Sequence, residues 1–264
     1  MHDAYAGMNR LYLSLHTPEA VRGMDMDDPV MSAWIDHNLG AGQSILDAGC
    51  GLGFDVLALH KGLPATGGAP RFTVYGSDFS NDMLTDARKT GQTAGIPADR
   101  YRVSSFEGLA EIVEWRERMD LVTVNYAIYT QPDEACDYDG YLEKSLAGLR
   151  ATIRPGGHLA VNVRDWAALK AAEASGSKHS GQATHDGRTY HYEYSWEFGP
   201  ARVHRTTLRM WEDESAAHCT DIWFAERGEP EIEAALRRAG FEVVESGRHG
   251  EGVRAFRTLI ARRV

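Results

Sequence analysis

Between residues 40 and 165 short apolar runs alternate with amphipathic stretches. The runs predict strands at 43–47, 71–77, 100–105, 120–126 and 157–163. Apolar positions spaced three and four apart predict helices at 54–61, 81–91, 107–117, 139–152 and 165–174. Strand followed by helix, repeated, implies an α/β fold with a parallel sheet covered on both faces. The punctuation agrees: Ser80 or Asn81 in "DFSNDML" supplies a helix N-cap, and "IRPGGHLAVNV" reads as helix stop, tight turn and buried strand. "GLPATGGAP" at 62–70 reads as a flexible loop. The first 40 residues read as two helical pieces, with Pro18 and Pro29 suited to helix N-termini.

After residue 175 the period changes to two. In "TYHYEYSWEF" (189–198), Tyr190, Tyr192, Tyr194, Trp196 and Phe198 share one face of a strand, and His191, Glu193, Ser195 and Glu197 share the other. "ARVHRTTLRMW" and "HCTDIWFAE" read as two more strands of an antiparallel meander. A helix at 229–240 and two closing strands then complete the α/β body. The meander is thus an insertion after the fifth strand, emerging where open α/β sheets bind ligands. The expected organisation is a helical lid segment at 1–40, an α/β ligand-binding domain at 41–175 and 228–264, and the inserted meander at 176–227 as substrate cap or dimer contact.

Composition narrows the partners. A chain of 264 residues, 43% hydrophobic, buries a sizeable core. The net charge of −10 and the lack of a Lys/Arg stripe disfavour nucleic acid. No apolar run is long enough for a membrane span, and the N-terminus lacks a secretory pattern. Cys50, Cys136 and Cys219 are scattered and form no CxxC pair, so neither a disulfide framework nor a metal site is expected. The acidic run "DEACDYDGY" reads as a solvated loop. A cytoplasmic protein acting on a small molecule, with a homodimer as its expected assembly, fits these features.

The candidate chemistry starts at "SILDAGCGLGFDVLALH" (44–60), where Asp47 precedes Gly49, Gly51 and Gly53. A strand feeding a tight turn needs glycine where φ is positive and where a ligand approaches the backbone. The dinucleotide fingerprint GxGxxG would put its third glycine at position 54, which is Phe54. The DxGxGxG pattern suits a loop around the methionine and ribose parts of S-adenosylmethionine instead. "VYGSDFS" puts Asp78 at the end of the second strand, where a carboxylate accepts from both ribose hydroxyls. "VSSF" offers Ser105 and Phe106 to the adenine, and "DLVTVNYAIYT" places Asn125 and Tyr126 at the sulfonium.

On these residues the stretch 40–165 resembles the class I S-adenosylmethionine-dependent methyltransferases: "LDAGCGLG" matches the first motif, "GSDFSNDMLTDAR" the second and "RPGGHLAVNV" the late one. The resemblance implies a Rossmann-like seven-stranded sheet with an antiparallel last strand. It also implies S-adenosyl-L-methionine contacts through Asp47, Gly49, Gly51, Asp78, Phe79, Met83, Ser105, Phe106 and Asn125, with Tyr12 and Arg22 folding over the methionine carboxylate. A narrower likeness is to glycine and related small-amine N-methyltransferases. It maps the family's carboxylate-holding arginine onto Arg164 and an active-site tyrosine onto Tyr190, Tyr192 or Tyr194. Tyr126, Arg164 and Tyr192 are the resulting catalytic candidates. One departure is that Asn125 sits about two residues before the family's substrate asparagine, where this chain has Ala127. His158, His191 and His204 are the histidines considered as bases. The expected activity is N-methylation of a small amine or amino-acid-like metabolite. Alternatives are cyclase, lyase or aminocarboxypropyl chemistry on the same cofactor, O-methylation of a natural-product phenol, and a non-catalytic binding module.

Overall fold

A computed structural model describes residues 5–24, 26, 28–62, 70–175, 179–213 and 215–264. A 3₁₀ turn at Leu11–Leu15 opens the described chain, followed by α1 (Pro18–Val21) and α2 (Pro29–Asn38). Thr17 and Asp28 cap these helices, each just ahead of the proline. Then come β1 (Ser44–Ala48), α3 (Phe54–Lys61), β2 (Thr73–Asp78), α4 (Asn81–Thr93), β3 (Tyr101–Val103) and β4 (Met119–Val124). The chain continues through β5 (Thr130–Gln131), α5 (Tyr138–Thr152), β6 (Ile153–Arg164), α6 (Trp166–Ala174), β7 (Ser180–His185), β8 (Arg188–Phe198), β9 (Val203–Glu212) and β10 (His218–Ala225). It closes with α7 (Glu229–Arg238), β11 (Phe241–His249) and β12 (Phe256–Arg263).

Seven strands form one mixed sheet in the order β11-β12-β6-β4-β1-β2-β3, in which β12 runs antiparallel to both neighbours. Helices cover both faces, so the central strands carry near-continuous apolar runs rather than alternation. Ile45, Leu46, Val122, Val124, Leu159 and Val161 are all fully buried. The meander is part of a second, five-stranded antiparallel sheet, ordered β5-β10-β9-β8-β7. Sequence patterning gave three of its strands. The fourth, "SGQATH", has little apolar signal, and the fifth, Thr130–Gln131, lies far upstream and joins through pairing of Gln131 with Trp223 and of Thr130 with Phe224. That two-residue bridge ties the insertion to the turn following β4.

The predicted helix at 107–117 is instead two 3₁₀ turns, Glu107–Glu111 and Val113–Trp115, broken at Ile112. The segment lies directly on α5, where a Cβ on Gly148 would come within 2.0 Å of the Phe106 carbonyl oxygen. Such close backbone contact, with β-branched Ile112 and Val113 in sequence, leaves no room for a regular helix. Of the loop expected at 62–70, residues 63–69 lie outside the described set.

The aromatic face of β8 is used within the chain. Tyr192 and Tyr194 stack on each other at 6.1 Å and, with Leu11 and Leu15 of the N-terminal segment, pack against the cluster of Met8, Leu208 and Met210. Trp196 packs on Phe224 and Trp166 of the main core. His185 bonds through Nε2 to the carbonyl oxygens of Leu13 and His16, at 3.0 and 3.2 Å, fastening the N-terminal segment to β7. Gly7 N–H and Asn9 Nδ2 donate to Asp82 and Asp86 of α4. The N-terminal segment is therefore pinned to both the α/β body and the inserted sheet. No helix among the described residues is long and apolar enough to cross a membrane.

Candidate active site

The glycine turn is built as its spacing demands. Gly49, Gly51 and Gly53 have φ of 78, 50 and 78°, where a side chain with Cβ is strained. The N–H groups of Gly49 and Cys50 donate to the Ser77 carbonyl oxygen at 2.7 and 2.9 Å, hooking the turn to the end of β2. Gly51 N–H donates to Asp78 Oδ2 at 2.8 Å, and Ser80 N–H donates to Asp78 Oδ1 at 2.9 Å. Asp78 thus holds two turns together.

Gly49, Cys50, Gly51 and Asp78 line a cavity of about 280 Å³ beyond the carboxyl ends of β1 to β4. A cofactor fits its walls. A Cβ on Gly51 would meet nothing within 4 Å, so the backbone there faces open space. Phe106 lies beneath Gly49, whose Cβ would sit 3.4 Å from the Phe106 ring. That leaves a flat aromatic surface beside a glycine turn and a carboxylate, the requirements of an adenosyl group. Asp47, Phe79, Met83, Ser105, Asn125 and Tyr12 line the same space.

Electrostatics separates two kinds of group. Burial raises Asp47 from 3.8 to about 7, against a hydrogen bond from Thr123 Oγ1 that works the other way. Burial also pushes the Tyr12 phenol well above its ordinary value, so it stays a neutral donor. The Cys50 thiol is likewise driven up by burial, which suits a small residue in a tight turn and not a nucleophile. The Asn125 Nδ2 donates to Asp55 Oδ2 at 2.5 Å. A carboxylate only accepts, so the orientation of that amide is fixed, and its Oδ1 is enclosed without a partner among the described residues. Tyr126, next in sequence, has φ of 58°. Its N–H donates to Asn162 Oδ1 at 3.1 Å, and Asn162 Nδ2 donates in turn to the buried Asp28.

Three of the residues singled out from the sequence lie elsewhere. Arg22 is exposed and pairs with Glu19 at 3.0 Å. The Tyr192 side chain is packed into the cluster around Met8, Leu208 and Met210. Arg164 rests its guanidinium over Phe256, Trp196, Tyr129 and Trp166, at 4.6 to 5.9 Å, and donates to the Val253 carbonyl oxygen at 2.8 Å. It borders a second cleft with Arg202, Glu226 and Arg257. None of the three lines the glycine-turn cavity. The considered histidines are also remote from it: His158 packs on Trp34, His191 stacks on Trp211, and His204 is bonded to Glu226.

Sequence reasoning missed other lining residues: His16, Asp55, Gln131, Tyr141, Asp221 and Trp223. Asp55 was within reach, because it falls in the first turn of the helix after the glycines. Asp221 and Trp223 enter only through the pairing of β10 with β5.

A family model described as a methyltransferase domain matches residues 39–205. The chain belongs to the methyltransferase-domain family. Among solved structures, an S-adenosylmethionine-dependent methyltransferase from Clostridium acetobutylicum is similar over 98% of this chain and 99% of its own, with a TM-score of 0.67 at 14% identity. An amino pentose methyltransferase from Micromonospora echinaspora, solved with S-adenosylmethionine bound, is similar over 100% and 98% of the two chains, with a TM-score of 0.62 at 17% identity. The sugar N-methyltransferase of a Streptoalloteichus species is similar over 90% and 88%, with a TM-score of 0.60 at 17% identity. Among curated sequences, an uncharacterized 37.1 kDa transposon protein of Streptomyces fradiae is 28% identical over 48% of this chain. The match spans about a third (32%) of that relative's length. The chain therefore carries a methyltransferase domain, and the solved structures similar to it share its fold.

Proposed function

We propose that this methyltransferase transfers its methyl group to the nitrogen of a small amine that carries no carboxylate. The carrying observation is the charge of the cavity wall. Asp55 and Asp78 line it, with Asp47, which burial leaves partly protonated near neutral pH, and Asp221, which is paired with Arg205 at 3.2 Å; no Lys or Arg lines it among the described residues. Such a wall attracts a cation and repels an anion. The arginine assigned by family likeness to a substrate carboxylate is engaged by aromatic rings and a carbonyl oxygen instead. Two similar structures are described as an amino pentose methyltransferase and a sugar N-methyltransferase, which is consistent with an amine acceptor.

In this reading Gly49, Gly51 and Asp78 orient the ribose, while Ser105 and Phe106 hold the adenine. Asp47 sits opposite the cofactor's positive charge, and Tyr12 with His16 closes the methionine end. Asn125 and Tyr126 sit where the acceptor meets the cofactor. When bound, S-adenosylmethionine supplies an already activated methyl group, so the chain's main task is to position the acceptor. The acceptor nitrogen must be neutral at transfer, so an ammonium first gives its proton to water or to a base. The N-terminal segment acts as the lid and the inserted sheet as the acceptor-side wall.

The test is mass spectrometry after incubation with cofactor and matched pairs, each an amine and the amino acid bearing the same side chain. The amine should gain a methyl group at least about tenfold faster than its partner. Equal or faster methylation of the amino acids would remove the charge argument. A methylthioadenosine peak with no methylated amine would point to cleavage of the cofactor's carboxypropyl arm.

A further inference from the structure

Beyond Asn125, the cavity holds a further side chain whose bonding is incomplete among the described residues. Gln131 is only 6% exposed, yet it lines the cavity. Its Nε2 donates to the Asp133 carbonyl oxygen at 2.7 Å. A carbonyl cannot donate back, so the amide has one orientation and its Oε1 must be an acceptor. That Oε1 is enclosed and has no partner among the described residues. A buried acceptor without a donor is costly, and such atoms in native proteins call for an explanation.

Its place in the fold shows which molecule brings the donor. Apart from Tyr12 and His16 of the N-terminal segment, the residues fitted to the cofactor sit at the ends of β1, β2, β3 and β4 or on the segments that follow them. Gln131 lies further on, in β5, directly paired with Trp223 of the inserted sheet. Trp223, Asp221 and Tyr141 line the cavity with it. This seam between the α/β body and the insertion is separate from the glycine turn. Resting on the amine reading above, we infer that Gln131 is a specificity-determining residue. Its Oε1 accepts from a second donor of the acceptor molecule, a hydroxyl or a further N–H, while the nitrogen to be methylated lies toward Asn125. The acceptor is then an amine with at least one additional hydrogen-bond donor, set against the flat face of Trp223.

The choice against a simple hydrocarbon amine follows from the same atom. An apolar group placed over Gln131 leaves the oxygen unsatisfied in the complex as well, and sites built to bond a hydroxyl discriminate strongly against analogues lacking it.

The probes are glucosamine and cyclohexylamine, six-membered rings that differ in their hydroxyls, titrated by calorimetry into the protein saturated with S-adenosylhomocysteine. Binding is read directly, so the result stands apart from turnover. Failure of the amine reading shows as absent methylated product, whereas failure of this inference shows in the affinities. Wild-type protein should bind glucosamine about tenfold or more tighter than cyclohexylamine. Gln131→Leu should erase that preference, with S-adenosylhomocysteine affinity unchanged within about twofold and the melting temperature close to wild type. Gln131→Glu, which keeps an accepting oxygen, should retain the preference. The inference is overturned by glucosamine binding no tighter than cyclohexylamine, by a preference that survives in Gln131→Leu (a bound water or neighbouring atom then supplies the donor), or by a fall in S-adenosylhomocysteine affinity that tracks the substitution.

Discussion

The cofactor half and the acceptor half of the cavity are assembled by different means. The cofactor half comes from turns that each follow one strand of the parallel sheet, and each turn is shaped by residues within a few positions of its strand. Gly49 and Gly51 take positive φ, and Asp78 caps the next turn through Ser80 N–H. The acceptor half comes from β5 and β10, about ninety residues apart in sequence and brought together by a two-residue pairing. Its polar atoms are left partly unsatisfied, whereas Asp78 is already tied to the turn it organises. A prebuilt half suits a ligand shared across a family, and an incomplete half suits a ligand that differs between members.

The largest expected effect tests whether the cofactor half is prebuilt. Asp78→Ala removes the partner of Gly51 N–H and the proposed ribose acceptor together. Affinity for S-adenosylhomocysteine should fall about a hundredfold or more by calorimetry, since two charge-assisted bonds to the ligand are lost. Retained affinity would mean that the turn, and not the carboxylate, holds the ribose.

Second in size is a test of how the two halves join. Asn162→Ala and Thr258→Val each delete one donor to the buried Asp28 carboxylate, which also caps α2. Both should lose about 1–3 kcal/mol of stability. Only Asn162→Ala also deletes the acceptor for Tyr126 N–H, which holds a residue at a φ of 58°. Methyl transfer should therefore fall about tenfold in Asn162→Ala and stay near wild type in Thr258→Val, with cofactor affinity unchanged in both. Equal activities in the two variants would make Asn162 purely structural.

This division of the cavity also explains what could be read from the chain. The strand–helix alternation and the DxGxGxG turn are short-range patterns, so the sheet, the glycine turn and Asp78 were legible. The antiparallel character of residues 189–198 was legible from period two. The role of that face was not: alternation tells that Tyr192 and Arg164 lie on a particular side, and tertiary packing decides what covers it. Tyr192 is covered by Met8 and its neighbours, and Arg164 is taken by four aromatic rings. Gln131 was invisible because a Gln in a "TQPD" turn has no periodic signature. Its importance rests on an unsatisfied oxygen that exists only after β5 meets β10.

A smaller effect sharpens the cofactor half further. Burial holds Asp47 at about 7 instead of 3.8, so between those values the folded chain keeps a proton that the unfolded chain has released. Stability therefore falls as pH rises from about 4 to about 7 and levels off above. Asp47→Asn should flatten that slope and raise stability at pH 8 by roughly 1–4 kcal/mol. The ionised carboxylate favours a positively charged cofactor, so wild-type affinity for S-adenosylmethionine should weaken several-fold below about pH 7, with proton release seen as buffer-dependent heats. The Asn variant should bind more weakly at pH 8 and show no such dependence. A wild-type affinity that is flat with pH would place the cofactor's charge away from Asp47.

The smallest effect belongs to Arg22, and it is diagnostic because the sequence placed this residue at the cofactor. Its side chain is 59% exposed and pairs with Glu19 one turn away on the surface. An exposed pair of this kind contributes about 0–1 kcal/mol. Arg22→Ala should change S-adenosylmethionine affinity by less than about twofold and melting temperature by no more than about 2 °C. His16→Ala is the contrasting variant, since His16 lines the cavity, sits 4.9 Å from the Phe54 ring and is held in place through its carbonyl oxygen by His185. It should weaken S-adenosylmethionine several-fold, more than it weakens adenosine, if it closes the methionine end as proposed. If Arg22→Ala is instead the more damaging of the two, the N-terminal segment rearranges on binding and carries Arg22 inward, and the cofactor half is then less completely prebuilt than the glycine turn suggests.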